Sequence, residues 1–573
     1  MEFRLAKNCK AKRKNDPIAR RPPVSRSLGC HGHGAVLPRP ADDPVSAASG
    51  ALKRIGTDTG KMTRKTRQQF CRFVDLFCEE YIPKLDPTID LSVESWLQAT
   101  TYPEGRRSDL LRTFEEGSSN MDGPFSFSAR SKRKIYDVNN FIKDEFYETY
   151  KHPRMINSRS DLYKVVVGPI FAQISKLVFG LKYSGKDYGP LIKHVPVADR
   201  SVVLSDLLTD YAESYQITDY SSFEAHFTSE MMESCEFRLY NHCTKNLSCH
   251  KPFMKLLRDS MAKVNHIKNK WFKIMLQATR MSGEMNTSLG NGFSNMMFTL
   301  FLANRAHIKN GYSGSLKSWI DNWQLYVRGA FEGDDGLCVF HPLCKPVTSD
   351  FTEMGLIIKL VDVNEIGLAS FCGNLFDPVD LIQVTNPLKV LCGLGWSNKK
   401  YVSSKPETRA AILRCKANSY LNQYPGCPIV NALACYILRC TGEDVGRELR
   451  YLDNSSHWLK GKYSQAYKNL PNLGRQPTPG RTRLLVEKLY DVTVDQQLKM
   501  EEYLDSLTEI QPLDLSIVWE NIPAVWKHNW DTHVIHKYDE GPIITLNEKE
   551  RAMDHIRKMS GRNKTVHVLG ELI

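Results

Sequence analysis

The 573-residue sequence has no run approaching the roughly 18 consecutive apolar residues that a membrane-crossing helix needs. Its best candidate, Met296 to Ala303, is eight residues long, so no intrinsic transmembrane segment is expected and a membrane anchor would have to come from a partner. The first fifteen residues carry Arg4, Lys7, Lys10, Lys12, Arg13 and Lys14 with no apolar stretch behind them, which excludes a secretory signal and points to the cytoplasm. No Cys-x-x-Cys pair occurs among the fifteen cysteines, so they read as reduced thiols, not a disulfide framework. Cys30-His31-Gly32-His33 and Cys243…Cys249-His250 lack a second half at zinc-finger spacing. A Gly-x-x-x-x-Gly-Lys-[Ser/Thr] phosphate loop is also missing, as is any internal repeat. With 42% hydrophobic and 25% charged residues, the composition excludes a collagenous or wholly disordered chain.

Positive charge is present but unevenly placed. Residues 1–67 hold sixteen Lys/Arg against five Asp/Glu, and so carry eleven of the thirteen net positive charges. Interrupted by Arg21-Pro22-Pro23 and Pro38-Arg39-Pro40, this segment reads as a basic, disordered arm suited to a polyanion or to localisation. Folding character begins near Gln69, where Phe70-Cys71-Arg72-Phe73-Val74-Asp75-Leu76-Phe77 opens an amphipathic helical pattern. A Pro/Gly break at 471–480 precedes a last helical segment, Thr482 to Leu507. Trp519, Trp526 and Trp530 sit in ordinary apolar context and are expected to pack.

Three windows carry chemistry. Leu325 to Phe340 is two β-favouring runs around Gly333-Asp334-Asp335-Gly336, a hairpin with paired carboxylates at its tip. Adjacent acids repel, so such a tip is useful where a divalent cation neutralises it. Gln216 to Phe227 is a short strand ending in Asp219, with a second acid, Glu224, five residues on. Arg280 to Asn295 is a Ser-Gly-rich loop running into a helix, along which Thr287, Asn291 and Asn295 recur every four residues and share a face. Buried amides there need hydrogen-bond partners, which a ribose or a templating strand would supply.

In this order the windows resemble motifs A, B and C of the RNA-dependent RNA polymerases of positive-strand RNA viruses, with the tombusvirus-like and nodavirus-like groups nearest. Asp219…Glu224 resembles motif A, Arg280 to Asn291 motif B, and Gly333-Asp334-Asp335 motif C. Met354 to Lys359 is similar to motif D with its lysine, and Ser370-Phe371-Cys372-Gly373 to the primer-gripping motif E turn. Pro153 to Arg159 with Tyr163 to Pro169 resembles the arginine-bearing motif F, and Arg481-Thr482-Arg483…Glu501-Glu502-Tyr503-Leu504 a thumb segment. The resemblance spans about residues 150–505. It departs at Glu224, where motif A usually carries Asp.

The resemblance implies an α/β (α+β) right hand. Its expected parts are a basic arm (1–67), N-terminal extension and fingers (68–205), palm (206–224), a fingers insertion (225–275), palm (276–375), a helical thumb (376–510) and a C-terminal extension (511–573). It implies copying of an RNA template into nascent RNA from NTPs by two-metal nucleotidyl transfer. Asp219, Asp334, Asp335 and the Tyr220 carbonyl would hold two Mg²⁺, for which Mn²⁺ can substitute, and Lys359 would protonate pyrophosphate. Arg154 and Arg159 would clamp phosphates, Glu224, Thr287 and Asn291 would face the ribose, and Asn295 would support them from behind. The Ser282-Gly283 loop would change shape during translocation, and Phe371, Cys372 and Gly373 would grip the primer. The expected setting is the host cytoplasm, on membrane-associated replication complexes recruited by viral or host anchoring factors. Competing readings are a reverse-transcriptase-like nucleotidyltransferase, disfavoured by the Ser-Gly…Thr…Asn pattern, and a non-catalytic RNA-binding scaffold, disfavoured by the intact acids.

Overall fold

The computed structural model describes residues 2–5, 26–40, 44–117, 125, 127, 131, 134–149, 151–209, 214–401, 403–453, 463, 466–469 and 473–533. It is a mixed helix and sheet fold. Two sheets are built from β1 (Glu2–Leu5), β2 (Asp137–Ile142), β3 (Met155–Arg159), β4 (Tyr215–Tyr220), β5 (Val264–Lys268), β6 (Phe272–Gln277), β7 (Val327–Glu332), β8 (Asp335–Phe340) and β9 (Ile358–Val363). One sheet has the order β7-β8-β4-β9 and is antiparallel throughout. The other has the order β1-β6-β5-β2-β3, with only β2 and β5 parallel.

The first sheet is covered by the Thr287–Lys309 helix, whose residues from Leu289 to Asn304 are all buried. That burial matches the apolar stretch Met296 to Ala303 and obliges Asn291 and Asn295 to find partners inside the protein. The largest core joins this helix to Phe70, Phe73 and Phe77 of the Arg64–Tyr81 helix and to the Asp161–Phe179 helix. The latter is the one described helix long and apolar enough to cross a membrane, but 61% of its apolar window is buried in this core. A second core gathers the helices after residue 375 and includes Leu513, Val518 and Trp526. The segment after 510 therefore packs with the helices before it. As expected, Trp526 and Trp530 are packing residues, and the Trp526 indole donates to the Glu148 carbonyl. No disulfide occurs among the described residues, whose cysteines are free.

The basic arm is corrected by the structure. Residues 26–40 lie in the second core through Leu28, Cys30, Ala35 and Leu37, with backbone bonds from Leu28 to Gly395, His33 to Leu513 and Val36 to Trp526. Residues 44–55 form a helix whose Val45, Ala47, Ala48, Ala51, Leu52 and Ile55 pack on the five-stranded sheet. This stretch fell within the arm expected to be disordered, but its small residues are what lets a helix approach a sheet closely. The remainder of the arm, residues 6–25 with seven of its Lys/Arg, lies outside the described residues.

Candidate active site

At the tip of the β7–β8 hairpin, Glu332 pairs with Asp335 across a two-residue turn of Gly333 and Asp334. Gly333 has φ +65°, which a side chain would resist and which matches the right-handed twist of a tight hairpin. Next to β8 runs β4, with Thr218 opposite Gly336, so Asp219 follows at the level of Asp335. On its other side β4 pairs with the edge strand β9, where Asp219 faces Lys359 in register. Three acids and a lysine from four segments therefore meet at one end of the sheet, and all four are solvent-exposed.

The acids carry the electrostatic mark of this crowding. Asp334 is pushed up to about 6, first by the protein that displaces water around it, then by Asp335 and Glu224, while Arg154 opposes the shift. Asp335 is also raised, first by desolvation and then by Glu332 and Asp219, against a hydrogen bond with Cys372 and the charge of Arg154. Both carboxylates are thus open to solvent on one side and crowded by protein and by like charge on the other.

Asn295 braces the tip. Its Nδ2 donates to the carbonyls of Gly333, Asp334 and Asp335 at 3.3, 3.0 and 3.2 Å, and its Oδ1 accepts from the Tyr220 hydroxyl at 3.2 Å. One amide thus ties β4 to the turn, whereas the sequence predicts a support for Thr287 and Asn291. Thr287 and Asn291 make other bonds. Thr287 Oγ1 closes the loop on the Met281 carbonyl at 3.2 Å, and Asn291 Oδ1 accepts from Arg280 Nε at 3.0 Å.

The Ser282-Gly283 loop is docked on β3. Ser282 Oγ accepts from the Asn157 amide at 3.1 Å and the Gly283 amide donates to the Asn157 carbonyl at 2.7 Å. A Cβ at 283 would fall 2.9 Å from that carbonyl, so this glycine serves close approach in the structure.

Of the two arginines expected to clamp phosphates, the structure leaves one available. Arg154 is half exposed, 3.7 Å from Glu145, and its charge reaches Asp334 and Asp335. Arg159 is corrected. It is fully buried, donates to Glu284 at 2.9 and 2.7 Å and to the Ser260 carbonyl at 2.8 Å, and cannot reach a ligand at the hairpin tip. Phe371, Cys372 and Gly373 lie in a tight turn with positive φ at Cys372 and Gly373, closed by reciprocal Phe371–Asn374 bonds. The Cys372 thiol touches Glu332 at 3.7 Å, which places this turn beside the hairpin tip.

Two functional candidates were missed in the sequence. Arg54, from the arm, donates through Nε and Nη2 to Glu224 Oε1. Arg280 donates its backbone amide to the Glu224 carbonyl at 3.1 Å as well as its Nε to Asn291. Nothing local signals either contact.

Among the described residues no three His, Cys, Asp or Glu side chains form a ready-made cation cage. A small hard cation that keeps most of its waters needs only one or two carboxylates. Asp219, Asp334 and Asp335 supply hard oxygen donors, and their mutual repulsion is what a divalent cation relieves, so the donor set fits Mg²⁺.

No family model matches the chain. Among curated proteins it is similar to a viral enzyme of nucleic-acid synthesis. That relative is the RNA-directed RNA polymerase of Oat chlorotic stunt virus (isolate United Kingdom), 24% identical over 460 residues that cover 74% of this chain and 55% of the relative. The chain therefore spans about half the length of the curated relative it matches.

Proposed function

We propose that this chain is a viral RNA-directed RNA polymerase. The reading rests on one observation above others: Asp219 on β4 stands beside the Asp334-Asp335 tip on an antiparallel sheet, with Asn295 fixing the tip to β4. In this reading the β7-β8-β4-β9 sheet is the palm of a right hand, the five-stranded sheet belongs to the fingers, and the helices after 375 are the thumb. The similarity to a viral RNA-directed RNA polymerase supports the same assignment.

Asp219, Asp334, Asp335 and the Tyr220 carbonyl would hold two Mg²⁺, or Mn²⁺ in their place. Bound there, the ions would neutralise the triphosphate and activate the RNA 3′-hydroxyl. The bond from O3′ to the α-phosphorus forms as the bond from that phosphorus to the pyrophosphate oxygen breaks. Arg154 offers a planar guanidinium to phosphate oxygens at the hairpin tip. Lys359, in register with Asp219, is placed to give a proton to the departing pyrophosphate. Asn291 and Glu224 read the sugar, and the Phe371-Cys372-Gly373 turn holds the primer end near the tip. RNA template, nascent RNA and NTPs are the ligands, and the setting is the host cytoplasm on membranes supplied by anchoring factors.

The test is labelled-nucleotide incorporation by the purified protein on a short RNA template. Mg²⁺-dependent RNA from NTPs, absent with EDTA and with Asp334→Ala, is the expected result. RNA-binding protein that is folded but makes no product would overturn the reading in favour of a scaffold.

A further inference from the structure

The Pro44–Ile55 helix ends at the second acid of the candidate site. Arg54 and Glu224, separated by 170 residues, form an ion pair in which both side chains are largely buried, at 15% and 11% exposure. Around this pair the same segment makes further bonds. Ser222, held in the left-handed region at φ 54°, donates its hydroxyl to the Lys53 carbonyl at 2.8 Å, and Thr57 Oγ1 donates to Ser222 Oγ at 3.3 Å. The helix itself is seated on the five-stranded sheet against Val138, Met155, Ile267 and Ile274. Arg54 is thus presented from a rigid element.

The atoms involved decide what is left over. Both Arg54 nitrogens go to Glu224 Oε1, which leaves Oε2 as the acceptor of that carboxylate, and Glu224 is near enough to Asp334 to act on its charge. Arg280 can only donate, so the Asn291 amide must turn Oδ1 toward it and Nδ2 away. A donor and an acceptor therefore remain, one on Asn291 and one on Glu224, and the Arg280 backbone joins the two residues through the Glu224 carbonyl. A hydroxyl both donates and accepts. A ribose 2′-hydroxyl satisfies this pair, and a deoxyribose leaves both atoms unmatched.

We infer that Arg54, supplied by the N-terminal helix, is a positioning residue for sugar selection: it pins one oxygen of Glu224 so that the other receives the 2′-hydroxyl of the incoming nucleotide. The longer Glu side chain, where motif A usually has Asp, has one more rotatable bond to fix, and Arg54 fixes it. The inference rests on the polymerase reading.

The experiment compares kcat/KM for NTPs and 2′-dNTPs on one template for wild type, Arg54→Gln, Arg54→Lys and Glu224→Gln. Arg54→Gln is expected to lower the NTP-to-dNTP ratio roughly tenfold, the scale of one charge-assisted hydrogen bond. The loss falls on NTPs while dNTP use holds, and Arg54→Lys restores part of it. In the Glu224→Gln background Arg54→Gln adds nothing further to the ratio. If Arg54→Gln does not fold, Glu224→Gln alone must reproduce the drop, and an unchanged ratio there overturns the proposal. A parallel fall for both sugars with Arg54→Gln overturns it too, since it marks a structural role alone. Wild-type protein that makes no RNA sinks the polymerase reading and this inference with it, whereas an active wild type whose ratio ignores Arg54 sinks only the inference.

Discussion

Asp334 stores the cost of assembling the site. Its carboxyl is raised from 3.8 to about 6 by desolvation and by Asp335 and Glu224. Between those values the folded chain holds more proton than the unfolded one, so stability falls as pH rises through this window and stays lowered above it. Removing the charge should therefore stabilise the cation-free protein while removing function. Asp334→Asn is expected to raise Tm by a few degrees in EDTA at pH 8, the gain kept small by solvent screening of an accessible carboxylate. The gain should vanish near pH 4, where the wild-type carboxyl is itself neutral. Thermal melts at pH 8, 6 and 4 check this, and a variant no more stable than wild type at pH 8 would refute it. A proton on Asp334 also competes with a cation, so Mg²⁺ binding should weaken as pH falls through about 6. Titration calorimetry with Mg²⁺ at about pH 7.5 and about pH 4.5, roughly equal steps either side of that value, reads this directly.

Between elements, a buried chain of charges fixes the loop that precedes the Thr287–Lys309 helix. Arg159 of β3 holds Glu284, Glu284 meets Arg280 at 3.4 Å, and Arg280 reaches Glu236 at 2.7 Å, all with no side-chain exposure. Burial works against the Arg280 charge, but Glu236 and Glu284 outweigh it and hold the guanidinium protonated. Neutralising the middle acid strands the buried Arg159 and leaves Arg280 with Glu236 alone, so Glu284→Gln should cost on the order of 3–5 kcal/mol. Urea unfolding measures it, and a cost under about 1 kcal/mol, the level of a surface pair, would refute the buried network. The same network shows what the sequence could and could not disclose. The hairpin tip was legible because β-favouring runs around Gly333-Asp334-Asp335 encode strand and turn locally, and the Thr287–Lys309 helix because Thr287, Asn291 and Asn295 recur every four residues and lead into an apolar run. Spacing set Asn295 on one face with Thr287 and Asn291, but its bonds to the hairpin tip, 38 to 40 residues away, were not legible. Arg159 was misread as a phosphate clamp because its partner Glu284 lies 125 residues away, and a buried arginine has the same local sequence as an exposed one. The Pro44–Ile55 helix was hidden by Ala, Ser and Gly, whose role there is close approach to a sheet.

Across the whole molecule, the N-terminal residues join the second core to the five-stranded sheet. Residues 26–40 lie in the second core and reach Tyr147 through the Pro38 carbonyl, while Arg39 pairs with Asp144 and stacks over Phe146 at 5.0 Å. The Pro44–Ile55 helix is anchored separately on the five-stranded sheet. The two anchors share no core, so loosening one should leave the other in place, as distant sites usually act independently. Gly395 offers a way to loosen the first: a Cβ there would stand 2.5 Å from the Cys30 backbone, too close for either main chain to ignore. Gly395→Ala is therefore expected to lift residues 26–40 from the second core, lower Tm, and expose the Arg26–Ser27 bond to trypsin that the wild type resists. The Arg54–Glu224 pair is expected to survive, so the NTP-to-dNTP ratio should match wild type even where total activity falls. Limited trypsin digestion followed by mass measurement of the fragments reads the first effect and incorporation kinetics the second. Unchanged protection at Arg26 would mean that residues 26–40 tolerate the methyl group. A ratio that falls as residues 26–40 loosen would instead make the N-terminal segment one mechanical unit from Arg26 to Arg54, coupling the helices after residue 375 to the choice of sugar.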